Sequence, residues 1–206
     1  MKILPTFSAV GLFAISSLLP AIVGATKPVP TLSEKSQGIL RAYEALKANP
    51  DDAKIQQGYL ASLPRSAGEF ECIFDPQDFG ELYSRAEEIL EPLGQLLRVA
   101  PETTGEYLFR LASNPLGTVD AWWRIREFST ELSMNHTATF VRVADKAKPE
   151  DVTAFARFIC DFEGIASDDA IPKIISELQK SNRTDLAKTF DDARTESIRS
   201  QQNHAH

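Results

Sequence analysis

Apolar residues through most of the chain recur at spacings of three and four residues, which is the repeat of one face of an α-helix. The repeat is found in five segments, whose apolar positions are Ile39, Leu40, Tyr43 and Leu46; Ile55, Tyr59, Leu60 and Leu63; Tyr107, Leu108 and Leu111; Val152, Phe155, Ile159 and Phe162; and Ile171, Ile174, Ile175 and Leu178. Alternating apolar and polar runs and Asn-Gly pairs, which indicate strands and hairpins, do not occur. The pattern predicts an all-α fold of about eight to ten helices, arranged as a helical bundle or as a short α-α superhelix.

Prolines followed by acidic residues mark the predicted starts of four helices. Proline is tolerated in the first turn because the N–H that it lacks has no partner there, and acids interact favourably with the exposed amide dipoles. The four sites are Asn49-Pro50-Asp51-Asp52, Asp75-Pro76-Gln77-Asp78, Ala100-Pro101-Glu102 and Lys148-Pro149-Glu150-Asp151.

The first residues, MKILPTFSAVGLFAISSLLPAIVGATKP, have the pattern of an export signal. Lys2 precedes an apolar run from Phe7 to Leu19, and Val23-Gly24-Ala25 supplies the small residues that a signal peptidase recognises. A membrane anchor is the alternative, but the run is shorter than the ~20 apolar residues that a membrane span requires. We expect a signal peptide over residues 1–25, a periplasmic or secreted mature protein, and no membrane insertion after cleavage.

The rest of the chain is expected to contain a single folded unit. Residues 26–193 carry the helical repeats and are predicted to form a single all-helical domain, a length sufficient for one hydrophobic core. Residues 194–206 lack large apolar side chains apart from Ile198 and are predicted to form a disordered tail.

The two cysteines, Cys72 and Cys160, lie in similar surroundings, because FECIFD and FICDFE both read Phe-x-Cys-x-Phe-acid. In an oxidising compartment, two cysteines most simply form one disulfide, and we expect a Cys72–Cys160 bond. Two buried free thiols are the alternative.

The net charge of −7 bears on the class of partner. An acidic protein repels phosphate backbones and anionic headgroups, so we expect neither nucleic acid nor a membrane surface as partner. The expected partner is a protein, and charge complementarity favours a basic one.

The stretch DAWWRIREF contains both tryptophans of the chain. At about 100° per residue, Ile125, Phe128 and Leu132 share one helix face and Trp122 lies at its edge, so Trp122 is predicted to be in the core. Trp123 lies on a different side.

That side also carries Val119 and Met134, so the helix has two apolar sides. Two interpretations remain open. The helix is packed between two neighbours, or Trp123, Val119 and Met134 belong to an exposed apolar patch that binds a partner.

The sequence shows no recognisable catalytic or metal-binding motif. The Glu-x-x-His pattern of di-iron bundles, the His-Glu-x-x-His of zinc proteases, phosphate loops and dinucleotide glycine patterns do not occur. The three histidines are His136, His204 and His206, and the acidic runs are Glu87-Glu88 with Glu91, Asp168-Asp169 and Asp191-Asp192. Acidic runs on helices are usually solvated. We expect no catalytic residues, no metal and no cofactor.

Two segments, YLASLPRSAGEFECIFDP (Tyr59–Pro76) and VTAFARFICDFEG (Val152–Gly164), resemble a group of uncharacterised exported bacterial proteins. The first is similar to a Phe-Pro-x-x-Phe-x-x-Phe-like stretch of that group, with Leu63 in place of a phenylalanine. The second is similar to its aromatic helix that ends in an acidic turn, although it lacks that helix's tryptophan. The resemblance implies an exported helical protein and no catalytic residues.

These observations favour an exported, non-enzymatic binding or structural protein that acts through protein contact, with an inhibitor or immunity-type protein as a specific version. The alternative is a small-molecule binder or carboxylate-dependent enzyme with an aromatic pocket between helices. That pocket would be lined by Trp122, Trp123, Phe128, Phe155 and Phe158.

Overall fold

The computed structural model describes residues 33–74, 80–113, 120–161 and 169–204. Its helices are α1 (Glu34–Ala48), α2 (Ala53–Ser62), α3 (Ala67–Phe74), α4 (Ala86–Leu90), α5 (Pro92–Val99), α6 (Pro101–Ala112), α7 (Asp120–Asn135), α8 (Thr137–Ala144), α9 (Pro149–Cys160), α10 (Ala170–Lys180) and α11 (Thr184–His204), with a 3-10 turn at Tyr83–Arg85. Several predictions concern residues outside these ranges. They are the signal peptide, the helix start at Pro76, and the predictions for Val119, Phe162, Asp168 and His206.

The predicted all-α fold is confirmed, since the residues that the structure describes contain helices and no strand. Only Glu91 separates α4 from α5, and its backbone is itself helical at φ −51° and ψ −40°. Pro92 lacks the N–H that would continue the hydrogen-bond ladder, so α4 and α5 are counted as one helix interrupted at this point. Counted in this way the described ranges hold ten helices, within the predicted number.

The helices form a bundle around α7, and all described residues belong to one compact unit. Helix α7 packs against α4, α5, α6, α8, α9 and α10. A superhelix brings each unit into contact with its sequence neighbours alone, so contacts of α7 with both α4 and α10 favour the bundle. No helix in the described ranges is both long enough and apolar enough to cross a membrane.

Three of the four predicted helix starts lie in the described residues. Pro101 and Pro149 occupy the first turns of α6 and α9, as predicted. Helix α2 begins three residues after Pro50, because the Asp52 carboxylate caps it and accepts hydrogen bonds from the backbone N–H groups of Lys54 and Ile55 at 2.8 and 3.2 Å.

Aromatic side chains fill the space around α7. The Trp122 ring lies 4.4 Å from that of Phe70 and 5.7 Å from that of Phe158, measured between centroids. A second group joins α6, α8, α9 and α11 through Phe109, Phe140, Phe155 and Phe190, all of them buried. Trp122 is fully buried, as predicted.

The end of the chain differs from the predicted disordered tail, because α11 continues as a helix to His204. The buried side of α11 includes Leu186, Phe190 and Ala193, and the same spacing continues to Ser197. The Ser197 hydroxyl donates to the carbonyl oxygen of Cys160 at 2.9 Å, and so attaches the last turns to the end of α9. Hydropathy alone missed this contact because the side chain that makes it is small and polar.

The predicted Cys72–Cys160 disulfide is not formed, and both thiols are free. In α3, Phe70 and Phe74 point into the core, and Cys72 lies two residues from each, on the opposite and exposed side of the helix. Cys160 is buried with its sulfur 4.0 Å from the carbonyl oxygen of Phe190. The shared Phe-x-Cys-x-Phe pattern therefore places the two thiols in opposite environments.

Candidate functional site on the exposed face of α7

The two adjacent tryptophans occupy opposite environments. Trp122 is fully buried, and its indole N–H points to the Glu71 carboxylate at 3.4 Å. Trp123 is rotated by about 100° around α7 and leaves 49% of its surface exposed. Tryptophan rarely leaves this much surface in water because of its large apolar area, so Trp123 is a candidate binding residue.

Arg126 supports the Trp123 ring from the protein side. Its guanidinium carbon lies 5.6 Å from the ring centroid, within the range of a cation-π interaction. The side chain is buried, and its Nε and Nη2 atoms donate to the carbonyl oxygen of Ile159 at 2.9 and 2.7 Å. Ile159 lies in the last turn of α9, where a positive charge interacts favourably with the helix dipole. Arg126 therefore links the orientation of Trp123 to the end of α9.

Trp123 forms part of the wall of a groove of about 510 Å³ between α7 and the start of α10, which we name the Trp123 groove. It is lined by Trp123, Arg126, Glu127, Thr130, Glu131, Met134, Asn135 and Ile171. The structure thus brings Trp123 and Met134 to one surface, whereas Val119 lies outside the described residues. Ile171, predicted as a core residue of α10, is buried and also lines this groove.

A second groove, of about 630 Å³, lies on the other side of α7, against α1, α4 and α5; we name it the α5 groove. It is lined by Tyr43, Leu46, Lys47, Pro50, Glu88, Glu91, Pro92, Gly94, Gln95, Leu96, Arg98, Glu127, Phe128 and Glu131. Helices α5 and α7 approach closely here, since a Cβ atom at Gly94 would lie 2.7 Å from Cε1 of Phe128. Glu127 and Glu131 line both grooves and form the ridge between them.

The carboxylates along the α5 groove share few cations. Arg124 contacts two of them, with Nη2 3.4 Å from Glu91 and Nη1 2.6 Å from Glu127, and its Nη2 also lies 2.5 Å from Glu87, which does not line the groove. Glu131 lies 4.0 Å from Arg98, at the limit of an ion pair. On this surface four cations, Lys47, Arg85, Arg98 and Arg124, contact six carboxylates, those of Glu44, Glu87, Glu88, Glu91, Glu127 and Glu131, so this side of α7 retains negative charge.

Glu88 is the most strongly held carboxylate of the α5 groove. It accepts hydrogen bonds from Arg85 at 3.0 Å and from the Tyr43 hydroxyl at 3.0 Å. These bonds favour the ionised form and lower the pKa of Glu88 below its usual value. Glu88 therefore remains an anion, which is the wrong protonation state for a general acid near neutral pH.

The structure places the other candidate residues of the sequence outside any obvious site. His136 lies in the turn between α7 and α8, and within the described ranges no three His, Cys, Asp or Glu side chains group as metal ligands would. Trp122, Phe155 and Phe158, which the pocket alternative requires, are buried against other aromatic rings and line neither groove. Phe128 lines the α5 groove, and Trp123 lines the groove that carries its name.

Arg126 is the site residue that hydropathy analysis missed. A charged residue in an amphipathic helix is normally assigned to the solvated side. The position of Arg126 along the helix does predict its burial. Arg126 follows Trp122 by four residues and therefore lies on the same, buried side of α7.

Comparisons of the chain with models of protein families, with curated proteins and with solved structures found no match.

Proposed function

We propose that this is an exported, non-enzymatic binding protein that acts through protein contact, and that Trp123 anchors its partner in the Trp123 groove. The observation that carries the proposal is the half-exposed tryptophan in the wall of a groove, next in sequence to a fully buried one. Tryptophan is enriched among the residues that dominate protein interfaces, and such residues act by filling or forming pockets.

The exposed part of Trp123 is large enough to matter for binding. A tryptophan side chain has up to about 250 Å² to bury, so half of it amounts to roughly 120 Å², or about 3 kcal/mol when a partner removes it from water. The side chain rests on Arg126, whose two hydrogen bonds to Ile159 hold the guanidinium in place. A ring held in this way loses little conformational entropy on binding.

The chemistry of the surroundings supports a protein partner. The Trp123 groove combines apolar side chains from Met134 and Ile171 with carboxylates from Glu127 and Glu131. An apolar centre with a polar rim is typical of a protein interface. The net charge of −7 favours a basic partner, and an inhibitor or immunity-type protein that masks a basic exported enzyme would fit this chemistry.

The proposal is tested with the chain from residue 26 as bait in host extract, with brief crosslinking. Trp123→Ala is compared with Val99→Ala, which truncates another exposed apolar side chain that lines neither groove. Circular dichroism establishes that both variants are folded. We expect one partner to be retained by the wild type and by Val99→Ala and to be lost from Trp123→Ala.

Two results would contradict the proposal. A partner that Trp123→Ala retains in full would show that the interface lies elsewhere on the protein. If the wild type retains no partner under crosslinking, the protein does not act through a stable protein contact.

A further inference from the structure

The open side of α7 carries a regular stripe of side chains. Trp123, Glu127, Thr130 and Met134 follow one another at intervals of four, three and four residues, and all of them line the Trp123 groove. At about 1.5 Å per residue the stripe is roughly 16 Å long, or three helical turns. Its ends are apolar, and its middle is polar and includes the carboxylate of Glu127.

This stripe has open space on both sides. Glu127 and Glu131 are one turn apart, about 6 Å along the axis, and form the ridge between the Trp123 groove and the α5 groove. A helix with grooves on either side can receive another helix, because side chains at three- and four-residue spacing interdigitate with those of α7. An extended peptide, with a side-chain repeat of two residues, does not match this spacing.

The charges around the ridge define which helix fits. The α5 groove is lined by four glutamates and by two cations, which are Lys47 and Arg98. Lys47 and Arg85 both contact Glu88, at 3.7 and 3.0 Å, and Arg124 contacts Glu127 together with Glu87 and Glu91. When Glu44 and Glu87 are counted beside the lining glutamates, six carboxylates share the four cations Lys47, Arg85, Arg98 and Arg124, so the surface has carboxylates in excess.

Among its described lining residues, the Trp123 groove adds no accessible cation to this balance. Arg126, the cation that lines the Trp123 groove, is buried and directs two N–H groups to the end of α9. A partner that brings lysine or arginine to the ridge gains charge complementarity, whereas an acidic partner is repelled.

We infer that the binding element of the partner is a basic amphipathic helix of about three turns that lies along α7. Lysine or arginine residues four positions apart pair with Glu127 and Glu131, which have the same spacing. Large apolar residues on the adjoining side of that helix contact Trp123 and Met134. This inference rests on the proposed function, because it assigns a partner chemistry to the same groove.

The experiment uses a labelled synthetic helix of fourteen residues (about four turns) that contains leucine and lysine at amphipathic spacing. A second peptide carries glutamate in place of each lysine. Fluorescence anisotropy gives the dissociation constant of each peptide for the chain from residue 26. We expect the basic peptide to bind and the acidic peptide to bind at least tenfold more weakly.

The glutamate ridge is tested with the double variant Glu127→Gln with Glu131→Gln. The matched control is Glu102→Gln with Glu106→Gln on α6, which has the same spacing and the same loss of charge. Both control glutamates are exposed and ion-paired, with Arg142 at 2.6 Å and with Lys146 at 2.9 Å. We expect the ridge variant to weaken binding of the basic peptide about five- to tenfold, and the control variant to change it less than twofold, since each exposed ion pair contributes modestly.

The outcomes separate this inference from the proposed function. Equal binding of the two peptides, equal effects of the two double variants, or no binding of either peptide by the wild type would each overturn the inference. If Trp123→Ala still abolishes capture of a partner in the bait experiment, the proposed function stands with a partner of different chemistry. If peptide binding depends on the ridge and not on Trp123, the charge assignment is correct and the anchor assignment is wrong.

Discussion

The pair Trp122→Ala and Trp123→Ala gives the sharpest test of the structure, because the same chemical change is made at two consecutive residues. Trp122 packs between Phe70 and Phe158 and is fully buried, whereas Trp123 leaves 49% of its surface in water. We expect the first substitution to destabilise the protein strongly and the second to destabilise it moderately.

The expected losses follow from the apolar area that each side chain removes from water. Full burial of about 250 Å² at about 25 cal/mol per Å² is worth about 6 kcal/mol as an upper estimate. Tryptophan-to-alanine substitutions in cores cost about 3–5 kcal/mol. Trp123 removes about half of that area from water, so Trp123→Ala should lower the free energy of unfolding by about 2 kcal/mol. Since a domain is stable by about 5–15 kcal/mol in total, the first variant falls near the limit of folding.

Urea unfolding followed by far-UV circular dichroism measures both variants without relying on tryptophan fluorescence. The free energy of unfolding should fall by at least about 1 kcal/mol more for Trp122→Ala than for Trp123→Ala. If Trp122→Ala does not fold, Trp122→Phe keeps a ring between Phe70 and Phe158 and should recover a folded protein. Equal losses at the two positions would refute the assignment of one ring to the core and the other to the surface.

Three further experiments have expected results that follow from the structure. Gly38→Ala should raise the free energy of unfolding by about 0.5–1 kcal/mol, because the added methyl group meets open space and alanine favours the helix. Gly94→Ala should lower the free energy of unfolding by about 1 kcal/mol, because the added methyl group overpacks the contact with Phe128. Urea unfolding measures both changes and shows whether they have opposite signs. Arg126→Met removes two hydrogen bonds to the end of α9 and should lower the same free energy by about 2 kcal/mol, and a change under about 0.5 kcal/mol would contradict this role. Without reductant, a maleimide should add to the exposed Cys72 in the native protein and to Cys160 only after unfolding, because Cys160 is buried and burial raises the pKa of its thiol to about 12. Mass spectrometry counts the maleimide adducts. If the unfolded protein carries no adduct, the two cysteines form a disulfide.

The fold class was predictable because it depends on local periodicity. Apolar residues at three- and four-residue spacing identify a helix whatever it packs against, and the proline sites at Pro101 and Pro149 identify first turns for a purely local reason. The same logic identified Trp122 as a core residue. A local signal, however, gives only the side of the helix on which a residue lies. It does not show whether that side packs against another helix or faces solvent.

The errors arose where a neighbour decided the outcome. Ser197 carries no hydrophobic signal, yet it is buried because its hydroxyl reaches the carbonyl oxygen of Cys160 and extends the packed part of α11. The two cysteines have matching sequence surroundings, but a disulfide requires that two thiols face each other in space. Cys72 faces outward from α3 and Cys160 faces α11, and neither fact is contained in the residues beside them.

The sequence by itself determined an acidic all-α chain, with one apolar side on each of its amphipathic helices and a second apolar side on α7. It left open whether Trp123 is covered by a neighbouring helix or exposed to a partner. Tertiary structure decided this point, because α7 is surrounded by six helices and still keeps open the side that carries Trp123, Glu127 and Met134. Periodicity reports which residues share a side, whereas exposure depends on where distant helices end, and only the packed bundle sets those positions.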